Sequence, residues 1–392
     1  MVGGGDRLRL SYLGSMPDIP IDIIPNILSR LPVLSLLRFK SVCKSWYNLI
    51  SNPNFIKSHL QQNSTDFRIL ILFSSYHRIP PCPPLISIFF KPSISLSHNC
   101  QGVVEHHFPL RSFDQKLNIL ASCDGLLWIY LGPRQLFVWN PFVQNYRSVP
   151  EPGEFEAPDS GDIAVYGMGY DSSTDDYKLV VVLLGEDVGS TIIEVFSLKS
   201  NSWKCRVINF RHRILLDSEG PGIYLGGSLH WLEWHTEKDT SVIVSLNMVD
   251  EKLGEIPLPN QLDGRFCLKN LGVLNGCLSL FAVHNLWVMK HYGVKSSWTK
   301  LVTIPDRICG HKVSPSVPLC FSKDGEGIVL KDEEGQLVMY NWKEDVAENA
   351  FMAEDGVQMA AIVFAESLVL PSNYGSGCES FTGARAKSNR LH

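Results

Sequence analysis

Apolar residues recur at helical spacing over residues 16–60 and then change to short runs typical of strands. One face of the first helix, at 3.6 residues per turn, carries Ile23, Ile24, Ile27, Leu28 and Leu31. Pro32 ends this helix, because its ring disfavours helical geometry at the preceding residue. Two more apolar groups follow, at 34–39 and 42–50, so the segment predicts three short helices.

These helices carry more apolar surface than a unit of this size can bury, since small domains rarely build a self-sufficient core. We therefore expect part of this apolar surface to pack against another domain or another protein. Pro25 constrains the first helix, because proline lacks an amide hydrogen and is tolerated only in the first turn. With Asp22 as the N-cap, Pro25 falls in that turn.

The rest of the chain repeats with a period of about 50 residues. Turn residues that open apolar runs stand at Gly125, Asp176, Gly227, Gly276 and Gly325, which lie 51, 51, 49 and 49 residues apart. Around each turn the pattern predicts four short antiparallel strands, which is the unit of a β-propeller blade. Four or five blades are visible between 117 and 342.

Further strand candidates at 68–73, 85–90 and 103–108 supply an irregular extra set, and a late strand at 358–370 closes the ring beside the first blade. We therefore predict six blades. The alternative is a two-sheet β-sandwich, which also needs many short strands but gives no reason for the period. The fold class is α+β multidomain, a small three-helix unit followed by an all-β, propeller-like domain.

Composition is that of a globular protein, with 45% hydrophobic and 19% charged residues. The net charge is −5 and no dense Lys/Arg cluster occurs, so nucleic-acid or anionic-membrane binding has no electrostatic support. No apolar run approaches the roughly 20 residues that span a bilayer. The ten cysteines form no C-x-x-C pair, and we expect reduced thiols in a cytoplasmic or nuclear protein.

The first segment resembles the F-box, on motifs that occur in the family's order. They are Ile19-Pro20, ILSRLP at 27–32, LLRFK at 36–40, VCKSW at 42–46, LI at 49–50 and NPNF at 52–55. The resemblance implies docking on a Skp-type adaptor and, through it, on a cullin–RING ubiquitin ligase. The docking surface is expected to comprise Ile19, Pro20, Ile23, Ile24, Ile27, Leu28, Leu31, Pro32, Leu36 and Leu37. Val42, Trp46 and Leu49 are expected to join the helices.

The β-rich part resembles the plant F-box-associated domain, often called kelch-like. The matching stretches include SCDGLL, VWNPFVQNYRSVP, YGMGYDSSTDDYKLV, IIEVFSLKSNSWK and GGSLHWL. The resemblance implies a domain that binds a protein substrate. The predicted organisation is a flexible leader at 1–15, the F-box at 16–60, the β domain at 61–370 and a disordered tail at 371–392.

No catalytic motif occurs: there is no G-x-S-x-G, H-E-x-x-H or Walker loop. His230 and His235 are five residues apart, so on a strand they point to opposite faces and cannot share a metal. Cys309 and His311 have alternate spacing but no second pair accompanies them. We therefore expect no catalytic residues, no metal and no cofactor.

Substrate contacts are expected on loops, because a rigid scaffold presents binding residues on its connections. An acidic insert at 151–162 supplies Glu154, Glu156 and Asp159. The other candidates are Arg211 and Arg213 in a basic stretch, and Trp234 and His235, expected just past a strand end. A proline-rich loop lies at 79–85.

The predicted function is that of a non-catalytic substrate-recognition subunit of an SCF-type ubiquitin ligase. The F-box holds the chain on the ligase, and the β domain binds the protein that is ubiquitinated. Two alternatives remain open at this stage: a scaffold or inhibitor that acts outside the ligase, and a carbohydrate-active enzyme built on a propeller. No residue selects the substrate.

Overall fold

The computed structural model describes the chain from the first helix onward, with gaps. The described residues are 23–62, 67–75, 85–88, 104–110, 117–132, 134–153, 164–184, 190–209, 212–214, 221–235, 240–262, 268–282, 284–305, 317–321, 326–331, 336–351 and 357–374. At several strand ends only the backbone is described. The chain divides into two compact units, residues 1–63 and 64–392.

The described part of the first unit, residues 23–62, contains four helices: α1 (Ile24–Leu28), α2 (Val33–Phe39), α3 (Lys44–Ile50) and α4 (Pro53–Gln62). The first three correspond to the predicted helices, and α4 is an addition. It belongs to the same core, since Phe55, Ile56 and His59 are buried. His59 also joins α4 to the end of the first helix, because its Nε2 lies 2.8 Å from the carbonyl oxygen of Leu31.

Pro25 occupies the first turn of α1, as predicted, and the helix tolerates it there. The N-cap is Ile23, which makes no side-chain capping bond; Asp22, the expected cap, lies outside the described residues. The amide of Ser29 donates to the carbonyl of Pro25 at 2.9 Å, so the short helix keeps its hydrogen bonding. Pro32 separates α1 from α2, for which it is the N-cap.

The core of the helical unit is aliphatic. Leu28, Val33, Leu36 and Ile50 are each no more than 1% exposed. Trp46 packs edge-on against Phe39 with ring centroids 5.4 Å apart, which joins α3 to α2 as expected for Trp46. The expectation that Val42 joins the helices is wrong, because Val42 is 60% exposed in the turn between α2 and α3.

The second unit is built from antiparallel sheets, six of them in the described residues. The first sheet contains β1 (Phe67–Ser75), β2 (Leu85–Ile88) and β3 (Val104–His106). The second contains β4 (Leu117–Cys123), β5 (Leu126–Leu131), β6 (Gln135–Asn140) and β7 (Asn145–Val149). The third contains β8 (Ala164–Asp171), β9 (Asp176–Leu184), β10 (Ser190–Ser197) and β11 (Ser202–Asn209). Each sheet is one propeller blade, and in four of the six described sheets the strands pair in sequence order, which confirms the predicted fold class.

The remaining strands complete three more blades and the first one. The fourth blade contains β12 (His212–Ile214), β13 (Ile223–Leu225), β14 (Ser228–His235), β15 (Thr240–Asn247) and β16 (Leu253–Ile256). The fifth contains β17 (Leu268–Leu274), β18 (Cys277–Ala282), β19 (Asn285–Met289) and β20 (Trp298–Thr303). The sixth contains β21 (Val317–Phe321), β22 (Gly327–Lys331), β23 (Leu337–Asn341) and β24 (Val346–Phe351), and β25 (Val357–Ala365) belongs to the first blade. Both β12 and β13 pair with β14, at opposite halves of that strand.

The ring is closed by the last strand. β25 pairs antiparallel with β1 along all nine residues and precedes it in the strand order of the first blade. The innermost strands then contact one another around a circle, in the order β25, β4, β8, β13, β17, β21 and back to β25. A parallel bridge between Gly167 and Gly222 shows that neighbouring innermost strands run in the same direction.

The 50-residue period has a backbone cause. Each described turn from a first to a second strand contains a residue with positive φ, which glycine, Asn and Asp adopt most easily. Examples are Gly125 (φ 78°), Asp175 (φ 57°), Gly227 (φ 83°) and Gly276 (φ 72°). The turn that contains Gly325 lies outside the described residues. Each blade therefore repeats the same turn chemistry at the same place.

After β25 the chain continues across the blade of β4–β7. Asn140 donates through Nδ2 to the carbonyls of Ser367 (3.0 Å) and Val369 (2.8 Å), and all three residues are buried. Gly125 lies beneath this segment, and a Cβ on it would lie 2.3 Å from the Cβ of Ser367. Residues 366–374 are thus packed onto the ring. In the described residues no helix is long and apolar enough to cross a membrane.

Candidate functional site

The helical unit exposes aliphatic side chains on its first helix. Ile23 is 48% exposed and Ile27 is 45% exposed. The two residues are four positions apart, so they lie on the same face of α1. Because α1 has five residues and Leu28 alone is buried in it, most of this helix is presented outward.

The other predicted docking residues divide into surface and core. Ile24, Leu31 and Leu37 are half-buried and Pro32 is exposed. Leu28 and Leu36 are 1% and 0% exposed, so the structure corrects their assignment to the surface: they fill the core between the helices. Ile19 and Pro20 lie outside the described residues.

Two exposed apolar residues of this unit were not among the predicted docking residues. Val42 is 60% exposed and Tyr47 is 54% exposed. The ammonium group of Lys40 lies 5.9 Å from the centre of the Tyr47 ring, a cation–π distance. Burial of the Lys40 side chain lowers its pKa. The sequence pattern assigned Val42 to the third helical group, but α3 begins only at Lys44, so Val42 lies in the preceding turn.

Chain direction gives the propeller two different ends. Because strands alternate in direction within each blade, the turns from first to second and from third to fourth strands lie at one end, which we call the turn end. The connections from second to third strands and between blades leave from the other end, which we call the loop end. Val149, Asn209 and His235, the last residues of β7, β11 and β14, are all at the loop end.

The sequence-predicted substrate residues belong to these loop-end connections or to the strands beside them. Glu154, Glu156, Asp159 and Arg211 lie outside the described residues, after β7 and β11. The proline-rich loop at 79–85 joins β1 to β2, and of its residues only Leu85 is described. The candidate loops therefore leave the ring from the same end.

Backbone pairing brings two separately chosen candidates together. In the β12–β14 ladder Arg213 is opposite Trp234, and His212 is opposite His235. The expectation that Trp234 and His235 lie past a strand end is wrong, because they are the last two residues of β14. Only the backbone of Arg213, Trp234 and His235 is described.

The start of the acidic insert is anchored between two blades. The indole Nε1 of Trp203 donates to the carbonyl of Pro150 at 2.7 Å. The amide of Gly153 donates to Oε1 of Glu194 at 3.2 Å, and Glu194 is 2% exposed. The insert thus leaves from a fixed point beside β10 and β11.

The turn end holds a cluster of tyrosines and aspartates that the sequence did not reveal. Tyr177 donates to Asp124 (3.0 Å), Tyr170 to Asp175 (2.5 Å) and Tyr224 to the carbonyl of Tyr170 (2.8 Å). Burial raises the pKa of all three tyrosines and, against the Tyr177 hydrogen bond, that of Asp124. These bonds connect three successive blades, so the cluster serves as a structural link.

A buried ion pair lies next to this cluster. Nζ of Lys178 is 3.0 Å from Asp171 and 3.2 Å from Glu251 of the next blade, and it donates to the carbonyl of Met248 at 2.7 Å. Burial would raise the pKa of Asp171, but hydrogen bonds from Ser173, Lys178 and Thr174 hold it below its ordinary value. Lys178 therefore links two neighbouring blades through its ion pairs with Asp171 and Glu251.

Two histidines have partners of the kind that catalytic histidines use. Nε2 of His106 lies 2.7 Å from Oγ of Ser87, yet His106 is 2% exposed and Ser87 is 0% exposed, so a substrate has no access to the pair. Burial lowers the pKa of His230, whose Nδ1 lies 3.1 Å from the carbonyl oxygen of Ile223 and whose Nε2 lies 2.6 Å from the hydroxyl oxygen of Tyr292. Both histidines are part of the blade packing.

The part of the chain that the structure describes contains no candidate metal site. No three His, Cys, Asp or Glu residues there are placed to hold an ion. Cys309 and His311, the weak candidate pair, lie outside the described residues.

Comparison with known proteins identifies both units. The profile of the F-box domain matches residues 16–58, and that of the F-box associated beta propeller domain matches residues 85–370. The chain belongs to the F-box-associated β-propeller family. It is an F-box protein with a β-propeller domain, as the two resemblances implied.

Its relatives include proteins of Arabidopsis thaliana matched over most of their length. F-box protein CPR1 is 29% identical over 384 residues, which cover 91% of this chain and 89% of CPR1. F-box/kelch-repeat protein At3g23880 is 29% identical over 338 residues, 83% of this chain and 88% of the relative. F-box protein At4g22390 is 26% identical over 380 residues and 91% of each chain.

Proposed function

We propose that this F-box protein is the substrate-recognition subunit of an SCF-type cullin–RING ubiquitin ligase. The helical unit docks on a Skp-type adaptor, and the propeller binds the protein to be ubiquitinated. The role is non-catalytic: it raises the effective concentration of substrate lysines near the ubiquitin-charged enzyme. The protein then works where the ligase does, in the cytoplasm, the nucleus or both.

The observation that carries this proposal is the apolar surface of the F-box unit. Ile23, Ile27, Val42 and Tyr47 are each about half exposed or more, within 25 residues of chain. Exposed apolar side chains that form a patch mark protein-interaction sites. We propose Ile23 and Ile27, with Ile24, Leu31, Pro32 and Leu37 beside them, as the docking face, together with Ile19 and Pro20. Val42 and Tyr47 extend it.

For the substrate we propose the loop end of the propeller. The connections that carry Glu154, Glu156, Asp159 and Arg211 leave from this end, and Arg213, Trp234 and His235 lie on strands beside it. Loops held on a rigid ring are suited to present such side chains.

The test is affinity for a purified Skp-type adaptor, measured for the wild type and for Ile23→Asp/Ile27→Asp. We expect the double variant to lose at least tenfold in affinity, because burying each isoleucine contributes roughly 1 kcal/mol or more and a carboxylate must be desolvated. Val346→Asp, which changes a residue 46% exposed on the propeller, is the matched control and should bind like the wild type.

Leu28→Ala is unsuitable for this test, because Leu28 is buried and its loss destabilises the F-box itself by about 2–5 kcal/mol. Equal affinity of the wild type and the double variant would refute the docking face. Adaptor binding without cullin recruitment or substrate ubiquitination would instead favour a scaffold or inhibitor.

A further inference from the structure

The outer strand β11 differs from the outer strands of the other blades. It is eight residues long and pairs with β10 at every residue without a register shift. In the described residues, no strand pairs with its other edge. An edge of this kind presents backbone N–H and C=O groups to solvent, ready to pair with another chain.

The other outer strands are protected in ways that natural sheets use. β3, β7 and β16 have three, five and four residues. β20 and β24 have six residues each, and a register shift interrupts the pairing of each with its neighbour. Among the six outer strands that the structure describes, β11 alone is both long and regular.

The side chains of β11 give its edge a distinct chemistry. Lys204 and Arg206 are exposed and, as alternate residues, share one face. Arg206 forms an ion pair with Glu251 at 3.2 Å. On the opposite face Val207 is 67% exposed, the highest value among the exposed large hydrophobic residues described. One face of the edge is thus cationic and the other apolar.

We propose that β11 binds an extended segment of a partner protein as an added strand, with acidic residues at alternate positions beside Lys204 and Arg206. Backbone hydrogen bonds would supply the affinity of such an added strand, and the alternate side chains its selectivity. The site is separate from the adaptor-docking face and does not depend on it.

Charge favours a partner segment over a second copy of this chain. Antiparallel pairing of two β11 strands would bring the lysines and arginines of both copies onto one face, and like charges directly opposite are destabilising. Acidic side chains opposite the same positions are attracted instead.

The probe is a labelled, end-blocked peptide of alternating Glu and Val, about ten residues long so that it spans β11. Binding to the full chain is measured by fluorescence anisotropy, and the bound residues are located by hydrogen exchange. A peptide of the same sequence with N-methylated backbone amides tests whether a strand ladder forms, because it cannot donate the required hydrogen bonds.

The test variant is Lys204→Glu, and the matched control is Lys300→Glu, an exposed lysine on β20. We expect Lys204→Glu to weaken binding about fivefold or more, since attraction becomes repulsion at a cross-strand pair. Lys300→Glu should bind like the wild type. Exchange protection on binding should be confined to β11, and high salt should weaken binding by screening.

Several outcomes would overturn the proposal. They are no binding at millimolar peptide, equal binding of the N-methylated peptide, protection away from β11, or equal loss in the two variants. Concentration-dependent protection of β11 without peptide would assign the edge to a second copy instead. Thermal unfolding of each variant verifies that the chain remains folded.

Discussion

Glu233 shows how one buried residue makes stability depend on pH. It lies in β14, is 2% exposed, and accepts a hydrogen bond from the indole of Trp231 at 2.6 Å. Burial raises its pKa from 4.5 to about 7, although the Trp231 bond opposes the shift. Between these two pH values the folded protein holds a proton that the unfolded chain has released. Stability therefore falls as the pH rises through this window.

We predict that Glu233→Gln removes this dependence. The amide keeps an acceptor for Trp231 but does not ionise. Between pH 4 and a pH above 7, the free energy of unfolding of the variant should therefore rise relative to that of the wild type by up to about 3 kcal/mol. Chemical denaturation of both proteins across that range measures the difference. Parallel stability curves for the two proteins would contradict the prediction.

Single residues also show where sequence reasoning stops. Helical spacing placed Ile27 and Leu28 on one predicted face, yet Ile27 is 45% exposed and Leu28 is 1% exposed. Adjacent residues on a five-residue helix point about 100° apart, and spacing cannot tell which of them meets the neighbouring helices. Tertiary packing decides that, so the docking face was predicted only in part.

Among the structural elements, residues 366–374 are held on the ring by side chains of the neighbouring blade, and Asn140 makes two of these contacts. Asn140 donates to Ser367 and Val369, while its Oδ1 accepts from the amide of Phe142 at 2.9 Å. Asn247 makes the corresponding local bond in another blade, where its Oδ1 accepts from Val249 at 2.9 Å. The two asparagines have the same turn role, but Asn140 also holds a segment that is distant in sequence.

We therefore predict that Asn140→Ala costs about 2–4 kcal/mol of stability, because two buried carbonyls lose their donor. Asn247→Ala should cost about 1 kcal/mol, the value of a local bond. Hydrogen exchange should show residues 367–374 released in the first variant alone. Similar losses and similar exchange in the two variants would show that the long-range bonds contribute little.

The strands were the most predictable elements. Their turns need positive φ, and Gly, Asn and Asp mark those turns in the sequence at Gly125, Asp175 and Asn275. The last residues of β14 were harder, because Trp234 and His235 pair with β15 on one side and with β12 on the other, and the pairing with β12 is not visible as a sequence pattern. Helix α4 was likewise missed as a separate element, since its amphipathic pattern continues directly from the F-box motif.

At the scale of the whole molecule, the propeller depends on a strand from the far end of the chain. β25 supplies the innermost strand of the blade that contains β1, β2 and β3. The sequence suggested this closure through a strand left over after the repeats. The blade number followed from the period, whereas the substrate contacts did not, because loop residues follow no period.

We predict that a chain ending at residue 356 loses the cooperative unfolding of the propeller. Without β25 the nine-residue edge of β1 is unpaired and the ring is open. A chain ending at residue 374 keeps β25 and the segment held by Asn140, and should unfold like the full chain. Thermal unfolding followed by tryptophan fluorescence compares the two. An intact transition in the shorter chain would contradict the need for closure.

The same closure orders events during synthesis on the ribosome. β25 begins 290 residues after β1, so at roughly 5–20 residues per second the first blade waits about 15–60 s for its inner strand. The helical unit lies entirely before β1 and is translated first. A nascent chain therefore has its helical unit complete well before it has a finished ring, and during that interval the edge of β1 that pairs with β25 has no partner strand.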